Sequence, residues 1–217
     1  MKNPKFTLLT LAGLLLVLLI GGCIPIEAVD TEITLQTQER WQMGLDITVA
    51  PDSGMTVAQL ENEMLSQFNT QNLQSQGIQV NSSAEEDKDG RIIIQLTFEG
   101  QGLDLLNQTL SGGSTILRED RQAGRDVIVF EMAPVMQFGS MDFQLTLKGA
   151  RVISSNGVEQ GGNQVTWINP TQSMQAVLAK PTLFDTLPVI LLLVGGALAL
   201  VGLVGLLTTL GSRRVGN

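Results

Sequence analysis

The sequence of 217 residues contains no histidine, no tyrosine and a single cysteine, Cys23. Histidine is the commonest general base and the commonest metal ligand, so its absence disfavours most hydrolytic mechanisms and most zinc sites. A lone cysteine cannot form an intramolecular disulfide, so an exported domain of this chain must rely on its hydrophobic core. We therefore predict no catalytic residue, no metal site and no cofactor, and we expect a protein that is not an enzyme.

Positive charge is also scarce, with 13 Lys and Arg against 21 Asp and Glu. All the acidic residues lie between Glu27 and Asp185, whereas several basic residues lie outside that segment. The middle of the chain is therefore more acidic than the formal net charge of −8 indicates. Binding to phosphate groups requires clustered Lys and Arg, so nucleic acid is excluded as an expected partner.

The cysteine closes an N-terminal segment that has the parts of a secretory signal. Two lysines in the first five positions precede a long apolar stretch, and Ile20-Gly21-Gly22-Cys23 has the pattern of a bacterial lipobox. We predict that residues 1–22 are a lipoprotein signal peptide, and that Cys23 carries a diacylglyceryl anchor in membrane lipid. The alternative is that the apolar stretch stays in place as an uncleaved anchor and the cysteine has no role.

A second apolar run lies at the other end of the chain, where no charged residue occurs from Thr186 to Ser212. As a helix it is long enough to cross the ~30 Å of hydrocarbon in a bilayer. The arginines that follow it obey the positive-inside rule if the tail 212–217 is cytoplasmic. We therefore predict a transmembrane helix at 186–211 and an extracytoplasmic domain at 23–184, in a protein that is lipid-anchored and single-pass in the bacterial cell membrane.

Apolar and polar residues alternate through much of the predicted domain, which is typical of strands with one buried face. Within 92–98, apolar residues occupy every second position, and the same period occurs at 33–35, 43–49 and 141–147. Weaker patterns predict further strands at 77–82, 113–118, 126–132, 150–154, 163–168 and 173–179.

Two segments have helical spacing instead. Thr56 and Gln59 form a capping box, and the apolar residues that follow predict a long helix at 57–76. A shorter helix is predicted from Leu103 to Leu110. The expected fold class is α+β: a single extracytoplasmic domain, mostly antiparallel sheet with one long helix packed on one face, plus a C-terminal transmembrane helix.

Charged clusters and tryptophans are the remaining candidates for a site. The acidic run at 85–89 lacks the alternating ligands of a calcium loop, so a solvated hairpin turn is the favoured interpretation. The arginines within 118–125 alternate with carboxylates, which favours a self-neutralising turn over an anion site. For Trp41 and Trp167, core packing is favoured over ligand stacking. The residues of any ligand-binding site stay unknown from the sequence.

Several short motifs resemble the LppM family of bacterial lipoproteins. They are Cys23-Ile24, residues 45–52, Phe98 with 103–106, Ser154-Ser155-Asn156-Gly157, Val165-Thr166-Trp167 and Met174-Gln175-Ala176. The resemblance implies a surface-exposed envelope lipoprotein with an α+β domain and a C-terminal membrane helix. It implies no catalytic residue, because the family has no established active-site motif.

These observations give a leading functional hypothesis and one alternative. The first is a membrane-anchored envelope lipoprotein that acts as a non-enzymatic binding or accessory module, with a lipid ligand whose acyl chain lies between sheet and helix. The alternative is a structural or assembly partner of another membrane protein. It would bind through an exposed sheet edge, or through the small residues Gly195 and Ala199 in the core 189–210 of the predicted transmembrane helix.

Overall fold

The structure is a computed structural model that describes residues 24–51, 53–111, 116–134 and 141–181. Cys23, the predicted signal peptide and the predicted transmembrane helix lie outside these residues. Within the described ranges, no helix is long and apolar enough to cross a membrane.

The described residues are mostly strand. Alternating apolar side chains form the longer strands because every second residue turns to the same face of a sheet. The strands are β1 Ile26–Leu35, β2 Arg40–Val49, β3 Gln79–Glu86, β4 Ile92–Gln101, β5 Leu117–Gln122, β6 Arg125–Met132, β7 Asp142–Lys148, β8 Val152–Ser155, β9 Val158–Gln160, β10 Gln164–Ile168 and β11 Met174–Ala179. The helices are α1 Val57–Gln67, α2 Thr70–Ser75 and α3 Leu103–Ser111, and a single 3₁₀ turn spans Thr37–Glu39.

The strands form two sheets around a shared hydrophobic core. Sheet A has seven strands in the order β3-β4-β2-β1-β7-β10-β9, and sheet B has four in the order β5-β6-β11-β8. Neighbouring strands are antiparallel except for β1 and β7, which run parallel at the centre of sheet A. The inward side chains of both sheets, among them Ile33, Leu96, Phe130 and Phe143, are almost fully buried.

The predicted fold class is wrong, because the described chain is a mostly β structure of two sheets with short helices. Four of the strands that the pattern predicted or partly predicted, β5, β6, β8 and β11, belong to a second sheet. Alternation reveals that a segment is a strand but does not identify its partners, and β6 pairs with β11 from much later in the chain. One sheet was therefore predicted where the packing requires two.

The predicted long helix is divided by Asn69. The capping box between Thr56 and Gln59 is confirmed, and α1 begins directly after it. Asn69 has left-handed backbone angles of φ 48° and ψ 49°, which asparagine tolerates better than most residues and which a continuous helix does not contain. The chain therefore restarts as α2, and α1 packs over β3 and β4 while α2 packs over β3.

Asn156 and Gly157 join β8 of sheet B to β9 of sheet A. The Asn156 Oδ1 atom accepts hydrogen bonds from Trp167 Nε1 at 2.9 Å and from the backbone amide of Gln175 at 2.8 Å. Its Nδ2 atom donates to the Ser173 carbonyl at 2.7 Å. A Cβ at Gly157 would lie 2.8 Å from the indole of Trp167, so only glycine fits there without movement. The Asn-Gly pair therefore ties the two sheets together rather than closing a simple hairpin.

We predict that Asn156→Ala lowers the free energy of unfolding by about 2 kcal/mol, because the indole and a backbone amide lose their hydrogen-bond acceptor. Asn81→Ala, at an exposed position on β3, is the matched control and should change it little. Urea unfolding of the detergent-solubilised protein measures both. Equal small effects would show that the link between the sheets does not depend on Asn156.

Two glycines on neighbouring strands give a second test of the packing. A Cβ at Gly44 on β2 would meet no atom within 4 Å, whereas a Cβ at Gly100 on β4 would lie 2.4 Å from Cζ2 of Trp41. We expect Gly44→Ala to raise the free energy of unfolding by about 0.5–1 kcal/mol, since glycine weakens a strand interior. Gly100→Ala should lower it by about 1–3 kcal/mol, because the buried indole must move. The same urea experiment checks both signs, and a stabilising Gly100→Ala would contradict the packing.

Candidate functional site

One face of sheet A is packed against the core, and the opposite face, here called the open face, is polar. Its central part is a shallow depression of about 380 Å³. The lining residues are Asp30, Thr31, Glu32, Thr34, Gln42, Gly44, Asp46, Gln144 and Thr146. Gly44 deepens this region because it brings no side chain to the face, and an added Cβ would stand in open space.

Two carboxylates lie side by side on this face. Asp30 on β1 is directly opposite Asp46 on β2 in the antiparallel register. Asp142 begins the parallel strand β7, where its register partner is Ala28, two residues before Asp30. Like charges directly opposite each other destabilise a sheet, so this arrangement opposes folding.

Burial and the negative charge of a neighbouring carboxylate raise the pKa of both central carboxyl groups. Burial makes the larger contribution for Asp30, and the negative charge of Asp142 adds to it. For Asp46 burial is again first, followed by the charge of Asp30, while a hydrogen bond with Gln95 acts in the opposite direction. A nearby positive charge would therefore stabilise the ionised form of both carboxyl groups.

The basic residue closest along β7 does not neutralise this pair. Lys148 forms an ion pair with Glu32, the next acidic residue on the same face of β1. Within the described ranges no Lys or Arg forms a salt bridge with Asp30 or Asp46. The Asp30–Asp46 pair therefore keeps negative charge that no basic residue of the described ranges matches.

The acidic run at 85–89 ends strand β3 at Glu86 and continues into a hairpin turn, the turn that the sequence predicted. The Asp87 carboxylate accepts hydrogen bonds from the backbone amides of Asp89 and Arg91 and from the Arg91 guanidinium. Desolvation acts against ionisation, but these hydrogen bonds and the positive charge of Arg91 prevail and lower the pKa of Asp87. The carboxylate is therefore already occupied by its own hairpin.

The arginine-containing segment is an exposed hairpin of β5 and β6, also as predicted. Arg118 lies 3.8 Å from Glu131, and Arg121 is opposite Asp126 in the register. Both tryptophans are buried, which confirms the core interpretation: Trp41 is 2% exposed and Trp167 is 5% exposed. The predicted lipidation site, Cys23, lies outside the described residues.

The space between the helices and sheet A is filled by side chains. Leu60 and Met64 on α1 are fully buried, and the ring of Phe68 packs on Phe98 of β4 with centroids 5.3 Å apart. The acyl-chain cavity that the sequence hypothesis placed beneath this helix would have to displace these contacts. The interior therefore gives no support to a lipid held at that position.

Sequence reasoning missed the Asp30–Asp46 pair. Alternation indicated that both side chains face away from the apolar residues of their strands, but it did not indicate that they are opposite each other. The register follows from the turn at Gln36–Arg40, where a 3₁₀ turn and the left-handed residue Glu39 (φ 59°) separate the strands. No turn motif in the sequence predicted that geometry.

Comparison with solved structures gives a distant likeness in fold. The structure is similar to the folded domain of LppM from Mycobacterium tuberculosis, determined by NMR, with a TM-score of 0.48 and 18% sequence identity. The match covers 75% of this chain and 94% of that domain. No family model matches the sequence. No curated protein matches it either.

We predict that Asp46→Asn stabilises the protein at neutral pH by a few tenths of a kcal/mol. A carboxyl group whose pKa is raised on folding binds its proton more tightly in the folded state, so its ionised form lowers stability at high pH. The gain should therefore be present at pH 7 and disappear as the pH falls towards 3.8, the ordinary aspartate pKa. Urea unfolding at a series of pH values measures it.

Asp30→Asn provides the control, because either substitution removes the same repulsion. The gain from the double variant should be smaller than the sum of the two single gains. Additive gains, or a gain that persists at low pH, would contradict a repulsive pair.

Proposed function

We propose that this protein is an envelope lipoprotein, anchored through a diacylglyceryl group on Cys23, whose domain is a non-enzymatic accessory module. Its open face binds a positively charged segment of a partner protein. The observation that carries the proposal is the Asp30–Asp46 pair, two carboxylates opposite each other with no basic partner in the described part of the chain. A cationic group brought to the face would remove a repulsion that the free protein retains.

The anchoring part of the proposal rests on the sequence. The basic start, the apolar stretch and the Ile20-Gly21-Gly22-Cys23 motif form a consistent lipoprotein signal. The accessory role rests on the side-chain inventory, since a chain without histidine, whose one cysteine carries lipid, lacks the commonest catalytic groups.

The open face is better suited than the interior to binding a positively charged segment of a partner protein. It is a broad depression lined by carboxylates, amides and hydroxyls, which suits a basic peptide rather than an acyl chain. By contrast, the region beneath α1 is occupied by Leu60, Met64 and Phe68. These features favour the partner-binding hypothesis over the lipid-binding one, with the open face as the binding surface in place of the sheet edge.

Site-specific photocrosslinking in intact membranes tests the proposal. A benzophenone side chain introduced at Gly44 projects from the centre of the open face, where a Cβ meets no atom within 4 Å. We expect a discrete crosslinked product of higher mass from this position. The same group at Ala58, an exposed residue of α1, should give none.

Charge variants make the result specific. The product should weaken several-fold in the Asp30→Asn, Asp46→Asn double variant and be lost when Asp46 is replaced by Lys, while circular dichroism shows an intact fold. A product that is insensitive to these charges, or monomer alone, would overturn the proposal. A mass increase equal to that of one lipid would instead assign the face to lipid binding.

A further inference from the structure

Each sheet ends in two strands that have a neighbour on one side only. Among the described strands, these edge strands are β3 and β9 in sheet A, and β5 and β8 in sheet B. The free side of an edge strand presents backbone N–H and C=O groups to which another strand can bind, and proteins commonly shorten, bend or cover such edges. Three of these edges are short or already bonded, whereas β3 is long and open.

Side chains and short length protect the edges other than β3. On β5, the side chain of Asn107 accepts a hydrogen bond from the Leu117 amide and donates one to the Leu117 carbonyl, each at 2.7 Å. Further along this strand, the Arg121 amide donates to the Asp120 carboxylate at 2.7 Å. β8 has four residues and an irregular register, and its Val152 amide donates to a carbonyl in the turn after β9. β9 has only three residues.

β3 has none of these protections. It has eight residues without proline or lysine, and its register with β4 is regular from Gln79 to Glu86. The Asp87 amide donates to the Arg91 carbonyl at 2.8 Å, and these two residues continue the register by one step. In an antiparallel pair, residues that bond to the neighbouring strand alternate with residues whose backbone groups point away from it. The odd-numbered residues of β3 therefore bond to β4. The outward N–H and C=O groups belong to Val80, Ser82, Ala84 and Glu86.

The side chains beside this edge indicate the chemistry of the strand that would pair with it. Val80 and Ala84 are partly buried and pack against the core, so they offer apolar surface. Between them, the Ser82 hydroxyl donates to Oε1 of Glu61 on α1 at 2.6 Å. Neither Glu61 nor the two glutamates that end β3 form a salt bridge with a basic residue of the described ranges. The edge therefore suits a strand in which apolar and basic residues alternate.

A second copy of this chain fits the edge poorly. Two β3 strands paired about a two-fold axis at Ser82 would bring the two Glu61 side chains together, because each is bonded to its own Ser82. Those like charges would repel each other. A segment with Lys or Arg at that level would be attracted instead.

We infer that the edge of β3 binds an extended, basic segment of a partner protein, which joins sheet A as an additional strand. Backbone hydrogen bonds to the outward groups of β3 supply the affinity, and the alternate side chains supply the selection. This is a second surface beside the open face, because it presents backbone groups where the open face presents side chains. The inference goes beyond the proposed function and does not depend on it.

Proline substitutions test which backbone groups point outward. Ser82→Pro removes an outward N–H and leaves the bonds between β3 and β4 in place, so the full-length protein in detergent should still fold. Ser82→Ala is the matched control, since it removes the hydroxyl and keeps the amide. Ser83→Pro removes a bond to β4, so it should lower the urea midpoint of unfolding clearly more than Ser82→Pro does.

A synthetic peptide in which Val and Lys alternate, matched in length to β3, is the binding probe. We expect it to slow hydrogen exchange of the even-numbered amides of β3 by about tenfold or more, while the odd-numbered amides, already bonded to β4, change little. NMR of the full-length protein in detergent measures both sets. Ser82→Ala should retain this protection and Ser82→Pro should lose it. The same peptide with its alternate amides N-methylated on the pairing side should have no effect.

Three results would overturn the inference. They are unchanged exchange of the even-numbered amides with the peptide, equal protection in Ser82→Pro and the unsubstituted protein, and a doubled mass with these amides already protected before peptide is added. The last result would assign the edge to a second copy of the chain. The Asp30→Asn, Asp46→Asn double variant separates this inference from the proposed function, since its β3 amides should still be protected by the peptide while its crosslink from Gly44 weakens.

Discussion

The parallel pairing of β1 with β7 is the constraint on which sheet A depends. β1 pairs with β2 on one side, from the first half of the chain, and with β7 on the other, from the second half. Without this central pairing the sheet would separate into two smaller antiparallel units. The pairing also has a cost, because Thr31 turns its hydroxyl into the core, where the described residues give it no hydrogen-bond partner. The same pairing brings the acidic start of β7 beside Asp30.

The pairing of the strands therefore determines where the negative charges of the open face lie. Asp30 faces Asp46 through the β1–β2 register and has Asp142 nearby through the β1–β7 register, so three carboxylates from separate strands converge. A face selected only for solubility would spread such charges apart, as the Asp87–Arg91 turn and the Lys148–Glu32 pair do elsewhere in the domain. The retained repulsion is the physical basis of the proposal that this face is a binding surface.

Patterns among residues close in sequence predicted most helices and strands of this fold. They did not predict which distant segments come into contact. The capping box at Thr56 and the period of two within 92–98 were sufficient to predict α1 and β4, because both depend on residues near in sequence. Asn69 could not be recognised as a break, since asparagine also occurs inside helices.

The role of Asn107 was missed for a different reason. Its buried side chain bonds to the backbone of Ile116 and Leu117, as a neighbouring strand would, and sequence spacing does not reveal such a contact.

The packed interior and the proposed anchor on Cys23 both favour a function at the surface of the domain. Phe68 on Phe98 and the indole of Trp167 on Phe130, with ring centroids 5.3 Å apart in each pair, fill the volume that an internal ligand would need. The proposed anchor on Cys23, one residue before the described domain, would restrict the domain to a thin layer above the bilayer. In that layer the effective concentration of other membrane proteins is high, so a modest electrostatic contact is sufficient for association. A broad polar face with one unbalanced acidic pair has the properties that such a contact requires.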